Sequence, residues 1–160
     1  MSLAVRPAIP ADLPLIASLI RELAEYEKLA HEVRFDQAVL GGHLFGSDPG
    51  AEVLIGELDG AAQGFALFFP TFSTFEGRPG IYLEDIFVRP DARGLGLGKA
   101  LISAVAALAV ERGCARFEWS VLDWNRPSIQ FYEAIGAKMM NEWRTMRLEG
   151  SALAALGAQK

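Results

Sequence analysis

The stretch that most constrains this chain is Arg93-Gly94-Leu95-Gly96-Leu97-Gly98, because of what flanks it. Before it, Ile81 to Val88 reads as a strand closed by Arg89-Pro90. After it, Leu101, Ile102, Val105, Leu108 and Ala109 fall at helical spacing between Lys99 and Arg112, with Gly113 as a stop. Strand, glycine-rich turn and helix therefore follow in order. Such a turn leaves backbone N–H groups unpaired at the positive end of a helix, which is a site for a phosphate or pyrophosphate. With no Cβ at the glycines, the backbone can come within hydrogen-bonding distance of the anion.

Three phosphate-binding patterns compete for this loop. A P-loop needs Gly-x-x-x-x-Gly-Lys-Ser/Thr, but Gly98-Lys99 is followed by Ala100 and the position five before Gly98 is Arg93. A dinucleotide fingerprint needs Gly-x-Gly-x-x-Gly; counted from Gly94 the third glycine is Lys99, and counted from Gly96 it is Leu101. What remains is Arg-x-x-Gly-x-Gly, spelled by Arg93, Gly96 and Gly98. It resembles the acyl-CoA pyrophosphate loop of the GNAT superfamily of N-acetyltransferases. Taken alone, the same turn is equally a tight connection before a helix.

Composition narrows the function classes. At 160 residues the chain suits one domain with a single core, and 51% hydrophobic against 22% charged residues marks a folded protein. A net charge of -5 argues against a nucleic-acid partner, which demands a basic face, and suits a cationic substrate. Cys114, the one cysteine, excludes an internal disulfide and reads as a buried structural thiol. His31 and His43 are isolated and match no metal-ligand spacing, so no metal is expected. The longest apolar run, Phe65 to Phe69, is far short of the ~20 residues that span a bilayer, and the N-terminus lacks a basic and then apolar leader. No membrane association and a cytoplasmic location are expected.

Along the chain, strands alternate with helices. Leu3 to Arg6 reads as a strand, and Asp12 as the cap of a helix running to about Lys28 with Pro14 in its first turn. Asp36 opens a second helix that ends near Gly41-Gly42 or shortly after. Glu52 to Leu58 and Gln63 to Phe69 are strands joined at Asp59-Gly60, a hairpin signal. Thr71 to Gly80 reads as a loop, Ala115 to Leu122 as a strand, and Pro127 to Ile135 as a helix stopped by Gly136. Met139 to Leu148 suggests one or two closing strands, and Ser151 to Lys160 an Ala-rich tail with a frayed helix.

A second diagnostic segment is Asp123-Trp124-Asn125-Arg126-Pro127-Ser128, followed by Phe131-Tyr132. Ser128 and Tyr132 lie four apart on the new helix and share a face. On their own, Asn125 and Ser128 read as local caps and Tyr132 as a core aromatic with a wet tip. Together with the glycine loop, however, the segment resembles the second acyl-CoA-binding motif of the GNAT superfamily. Tyr82 to Val88, Arg93 to Gly98 and Trp124 to Tyr132 are similar to the diamine acetyltransferase branch, which includes the spermidine/spermine and thialysine enzymes; Arg21 to Glu27 is similar too. The resemblance runs from about Val5 to about Leu148.

That resemblance implies an α/β (α+β) fold: a single domain over residues 1–150, with a mixed central sheet of six to seven strands and about four helices packed on both faces, and a tail over residues 151–160. It implies acetyl-CoA as co-substrate, a small cationic amine as acceptor, and a homodimer. By position, the backbone of Ile86, Phe87 and Val88 would bond the acetyl group and pantetheine like an added strand. Arg93, Gly94, Leu95, Gly96, Leu97, Gly98 and Lys99 would cradle the pyrophosphate, and Asn125 and Ser128 would contact the cofactor arm. Tyr132 falls where the family places its general acid. Glu84 falls where it places a substrate-binding carboxylate that helps deprotonate the amine, and Tyr26 and Glu27 line the substrate site. One departure stands out: Trp143-Arg144 follows only Asn141-Glu142, a shortened acidic segment, which counts against polyamine specificity.

The chemistry explains these residue types. A primary amine with a pKa near ~10.4 is neutral in about one molecule in 2,500 at pH 7, and only that form attacks. A carboxylate takes its proton, and a phenol protonates the departing thiolate. With both substrates held together, attack needs no acyl-enzyme. Glu84 and Asp85 are neighbours on a strand and point to opposite faces, so only one faces a given site; Asp85 reads as a buried hydrogen-bonding group. The alternatives left open are a non-catalytic acyl-CoA-binding or partner-binding module and, among enzymes, an aminoglycoside or protein N-terminal or lysine acetyltransferase.

Overall fold

Five strands pair in the order in which they occur: β1 (Leu3–Pro7), β2 (Glu52–Leu58), β3 (Ala61–Ser73), β4 (Arg78–Val88) and β5 (Arg116–Trp119). The computed structural model describes residues 1–159. Four strands form an antiparallel meander; β5 joins β4 in parallel, so it needs a crossover, supplied by helix α3 (Leu97–Glu111). The β2–β3 turn is made where the sequence places it, with Asp59 and Gly60 both at positive φ (51° and 81°).

Alternation along the strands sorts side chains onto two faces. Val53, Ile55, Phe65, Leu67 and Phe87 turn to one face, where Ile16, Leu19 and Leu23 of α1 (Leu13–Tyr26) and Leu44 of α2 (Gln37–Phe45) complete the core. On the other face, Leu97 and Leu101 of α3 lie against Gly56, where a Cβ would stand 2.9 Å from Leu97 Cδ1. Phe65 and Phe68 are fully buried, each contributing about 1.5–3 kcal/mol.

The helix ends differ in how they are made. Asp36 caps α2 as expected, accepting from Val39 N–H at 3.0 Å. Asp12 precedes α1 but does not cap it. Its carboxylate is taken by Arg6 (2.8 and 2.9 Å) and by Ile9 N–H (2.8 Å). Arg6 also reaches Glu57 at 3.2 Å, fastening β1 to β2 and to the start of α1. At the other end of α1, Leu29 N–H bonds Ala24 O and Lys28 N–H bonds Glu25 O, a Schellman closure with Lys28 at φ 62° where glycine is usual.

Contacts divide the chain into two compact units, Met1–Ser120 and Val121–Lys160. The second holds α4 (Arg126–Ala134), stopped at Gly136 (φ 101°), and α5 (Gly150–Gly157). None of the described helices is long and apolar enough to cross a membrane.

Several expectations are corrected. The described residues form five strands and five α-helices rather than six to seven and about four. The fifth helix is the tail, ordered over Gly150–Gly157. The missing strands are those expected over Met139 to Leu148, where a turn from Met140 O to Trp143 N–H, reinforced by Arg144 on Asn141 O, breaks the extended run. Thr71 to Gly80 is no loop. Thr71 pairs with Gly80 and Ser73 with Arg78, leaving a short turn that Ser73 Oγ ties by accepting from Glu76 N–H. Pairing across a long hairpin overrides the turn-rich composition. β5 is shorter than the expected Ala115 to Leu122. Cys114 is half-buried and free.

Candidate functional site

β4 is the strand on which the site is built, and its two edges behave differently. Against β3, Asp85 pairs with Leu67 and Leu83 with Phe68, so Glu84 is an extra residue, a β-bulge that opposes no one. Against β5, pairing runs only from Gly80↔Arg116 to Leu83↔Trp119. From Glu84 to Val88, β4 has no strand partner on that side within its unit. The orientation of these peptides follows from one bond. Arg89 N–H donates to Gln63 O at 2.8 Å, so the carbonyl in the same trans peptide, that of Val88, points away from β3 towards the open edge.

Three carboxylates gather near the bulge. Glu84 is exposed. Asp85, on the same face as Leu67 and Phe87, is half-buried and pushed up to about 7, first by burial and then by the negative charges of Glu84 and Glu27. Glu27, half-buried just beyond α1, is raised by burial too. Asp85 is the group that sequence reasoning undervalued. Strand alternation separates it from Glu84, but the bulge and the end of α1 set Glu84 and Glu27 each within electrostatic reach of Asp85, and neither is legible in a sequence.

The glycine loop folds as the motif requires. Gly94 (φ 77°) and Gly96 (φ 92°) are both left-handed, and Gly96 is the N-cap of α3. The first-turn N–H groups of Leu97, Gly98 and Lys99 have no intrahelical acceptor, an arrangement that suits an anion. Gly94, Leu95 and Lys99 are exposed, while Leu97 is anchored in the core. Arg93 sends its side chain back: Nε donates to Val88 O at 2.8 Å, and its guanidinium carbon lies 4.8 Å from the Tyr26 ring centroid and 5.4 Å from that of Phe87. Tyr26, Phe87, Val88 and Arg93 are thus brought together, with Glu27, Glu84 and Asp85 grouped by charge nearby.

The acidic run along and just beyond α1 divides. Glu22 is bound by Arg89 (3.0 and 3.1 Å), Glu32 pairs loosely with Arg34 and His31, Glu25 is exposed, and Glu27 turns inward.

In the second unit, Asn125 is buried and its Oδ1 accepts from Ser128 N–H at 3.4 Å, so it caps α4. The local reading is therefore realised for Asn125. Tyr132 is half-buried, with its ring 5.6 Å from Phe131. A cavity of about 290 Å³ lined by Leu44, Phe68, Leu108 and the Glu52–Arg112 pair holds none of the candidate residues.

A family model described as acetyltransferase (GNAT) family matches residues 16–137. Thialysine N-epsilon-acetyltransferase of Sus scrofa is 38% identical over 169 aligned positions that cover 99% of each chain. L-ornithine N5-acetyltransferase of Arabidopsis thaliana is 34% identical, covering 95% of this chain and 86% of its own. Among solved structures, an integron cassette protein from the mobile metagenome of V. cholerae matches with a TM-score of 0.81 at 27% identity, covering 99% of both chains.

Proposed function

The chain belongs to the acetyltransferase (GNAT) family and is an N-acetyltransferase, and we propose that it moves the acetyl group of acetyl-CoA to a primary amine of a small cationic substrate, a diamine or a lysine-like amine. The observation that carries this reading is the juxtaposition on β4 of an open edge and a carboxylate cluster. An acyl-pantetheine is a chain of amides that can pair with an open strand edge, and Ile86 to Val88 offer one. The positive-φ glycines and the free first turn of α3 suit a pyrophosphate. Glu27, Glu84 and Asp85 suit an ammonium. The printed substrates of the two enzyme relatives, thialysine and L-ornithine, are both amines.

In this mechanism Glu84, exposed at the bulge, accepts the ammonium proton directly or through water. The neutral amine then attacks the thioester carbonyl, the tetrahedral intermediate collapses with cleavage of the C–S bond, Tyr132 gives its proton to the departing thiolate, and the proton left on the new amide nitrogen passes through solvent to restore the phenol. Asn125 and Ser128 contact the cofactor arm, and Tyr26 with Glu27 lines the acceptor site. The working unit is one acetyltransferase domain over residues 1–150, cytoplasmic and homodimeric. Exposed Phe72 and Phe75 supply apolar surface for a dimer contact, and a monomer at micromolar concentration by sedimentation would rule that contact out. The activity is tested by thiol release from acetyl-CoA across a panel of thialysine, ornithine, diamines, polyamines, aminoglycosides and peptides. Turnover confined to the small amines is expected; CoA binding without turnover on any acceptor would instead mark a binding module.

A further inference from the structure

Two arginines flank the turn Pro90–Ala92, and both reach back to one face of α1. Arg89 holds Glu22 through Nε and Nη2 at 3.1 and 3.0 Å, and Arg93 lies over the ring of Tyr26. Glu22 and Tyr26 are four residues apart, so they stand one above the other on the helix. The result is a ladder of two rungs between α1 and the connection from β4 to the glycine loop. The first rung is an ion pair within the unit. The second is different, because each of its members belongs to another part of the candidate site. Arg93 opens the glycine loop, Tyr26 stands beside Glu27 on the amine side, and Val88, whose carbonyl Arg93 also binds, is on the strand edge that would take the acyl arm.

We propose that Arg93 is a positioning residue that couples the donor loop to the acceptor wall, through its stack on Tyr26 and its bond to Val88 O, rather than a charge that binds the pyrophosphate. The proposal rests on reading the glycine loop as the donor's pyrophosphate site. When the loop is filled, its first residue is fixed. Arg93 then fixes Tyr26 and the last turn of α1, and with them the half-buried Glu27. Geometry favours arginine for this work. A planar guanidinium can lie on two rings and donate through Nε at once, whereas a lysine ammonium can do neither together. A lysine would still attract a pyrophosphate, and that difference separates the two roles.

The test uses the full chain as wild type, Arg93→Met, Arg93→Lys and Tyr26→Leu, with CoA affinity from titration calorimetry and hydrogen exchange followed in the segment 20–30. CoA is expected to slow exchange over that segment in the wild type, and to lose that effect in all three variants while its affinity changes less than about threefold. In steady-state assays with thialysine, KM for the amine is expected to rise about five- to twentyfold in both Arg93 variants, the loss of one cation–ring contact and one hydrogen bond, with kcat within about threefold. With acetyl-pantetheine, which lacks the pyrophosphate and leaves the loop unfilled, the difference in amine KM between wild type and the Arg93 variants is expected to shrink. Two results would each overturn the proposal: a loss of CoA affinity above about tenfold in Arg93→Met that Arg93→Lys restores, or unchanged exchange at 20–30 when CoA binds the wild type. Wild-type chain that binds no CoA at all would overturn the reading beneath it, and this proposal with it.

Discussion

Asp85→Asn isolates the energy held in the carboxylate cluster. Asp85 keeps its proton from an ordinary 3.8 up to about 7, chiefly because burial disfavours its charged form. The folded chain holds this proton more tightly than the unfolded chain does. Below pH 3.8 both states are protonated and the group is neutral for stability. Between about 4 and 7 only the unfolded chain releases the proton, so stability falls as pH rises, and above 7 the full penalty is present. At about 1.4 kcal/mol for each factor of ten, the span corresponds to ~4 kcal/mol, which solvent access to a half-buried group brings to about 2–3 kcal/mol. Asparagine keeps the shape and cannot ionise. The variant should therefore melt with the wild type near pH 4 and about 5–10 °C above it at pH 8.5, since ~1 kcal/mol moves Tm by about 2–4 °C in a chain of this size. Melts followed by circular dichroism from pH 4 to 9 decide it. A Tm difference that does not change with pH, or a variant less stable at pH 8.5, would refute the assignment of burial as the cause. Glu27→Gln, removing one neighbouring charge, should move the same profile to lower pH.

Gly96→Asp should weaken acetyl-CoA binding by more than about a hundredfold in calorimetry, because a carboxylate enters the proposed anion cradle at a position with φ 92°. Tyr132→Phe should lower kcat by ~100- to 10,000-fold with little change in acetyl-CoA affinity; full turnover across pH would make it a packing residue. Glu84→Gln should show a defect that shrinks as pH rises and free amine becomes abundant, read from kcat/KM between pH 7 and 10. Asp12→Ala should cost about 2–4 kcal/mol at pH 7 by denaturant melts, by leaving Arg6 half-paired. Because Arg6 holds the Asp12 carboxyl below its ordinary range, that cost should disappear as pH falls through the acid range.

What the sequence yields depends on how local the cause is. Asp59-Gly60, Asp36 and the pair Gly94 and Gly96 sit where backbone conformation is decided by one or two residues, and their roles are legible. The same holds for the core stripe Ile16, Leu19 and Leu23. The long hairpin is not legible, because Phe72 pairing with Pro79 is decided by the partner strand against local turn preference. Nor is the bulge at Glu84, which exists only relative to β3. Lys28 hides the end of α1, since the usual glycine is absent from a closure that still forms. The site follows the same division. The glycine loop and Glu84 stand out by motif, whereas the elevation of Asp85 and the stack of Arg93 on Tyr26 need the third dimension. Tyr26 and Arg93 are far apart in the chain and meet across the same two elements that Arg89 and Glu22 fasten.

The extra residue in β4 also separates two kinds of selection on this strand. Leu83, Asp85 and Phe87 take part in the register with β3, and changing them disturbs the sheet or its core. Glu84 opposes no residue and is exposed, so the pairing with β3 does not depend on its side chain. A position that the architecture does not use is one where chemistry can drift. Substitutions at residue 84 fall on the proposed proton acceptor and reach folding chiefly through the charge that Glu84 places near Asp85. A scaffold arranged this way can lose its reaction, or acquire a different acceptor preference, without first becoming unstable.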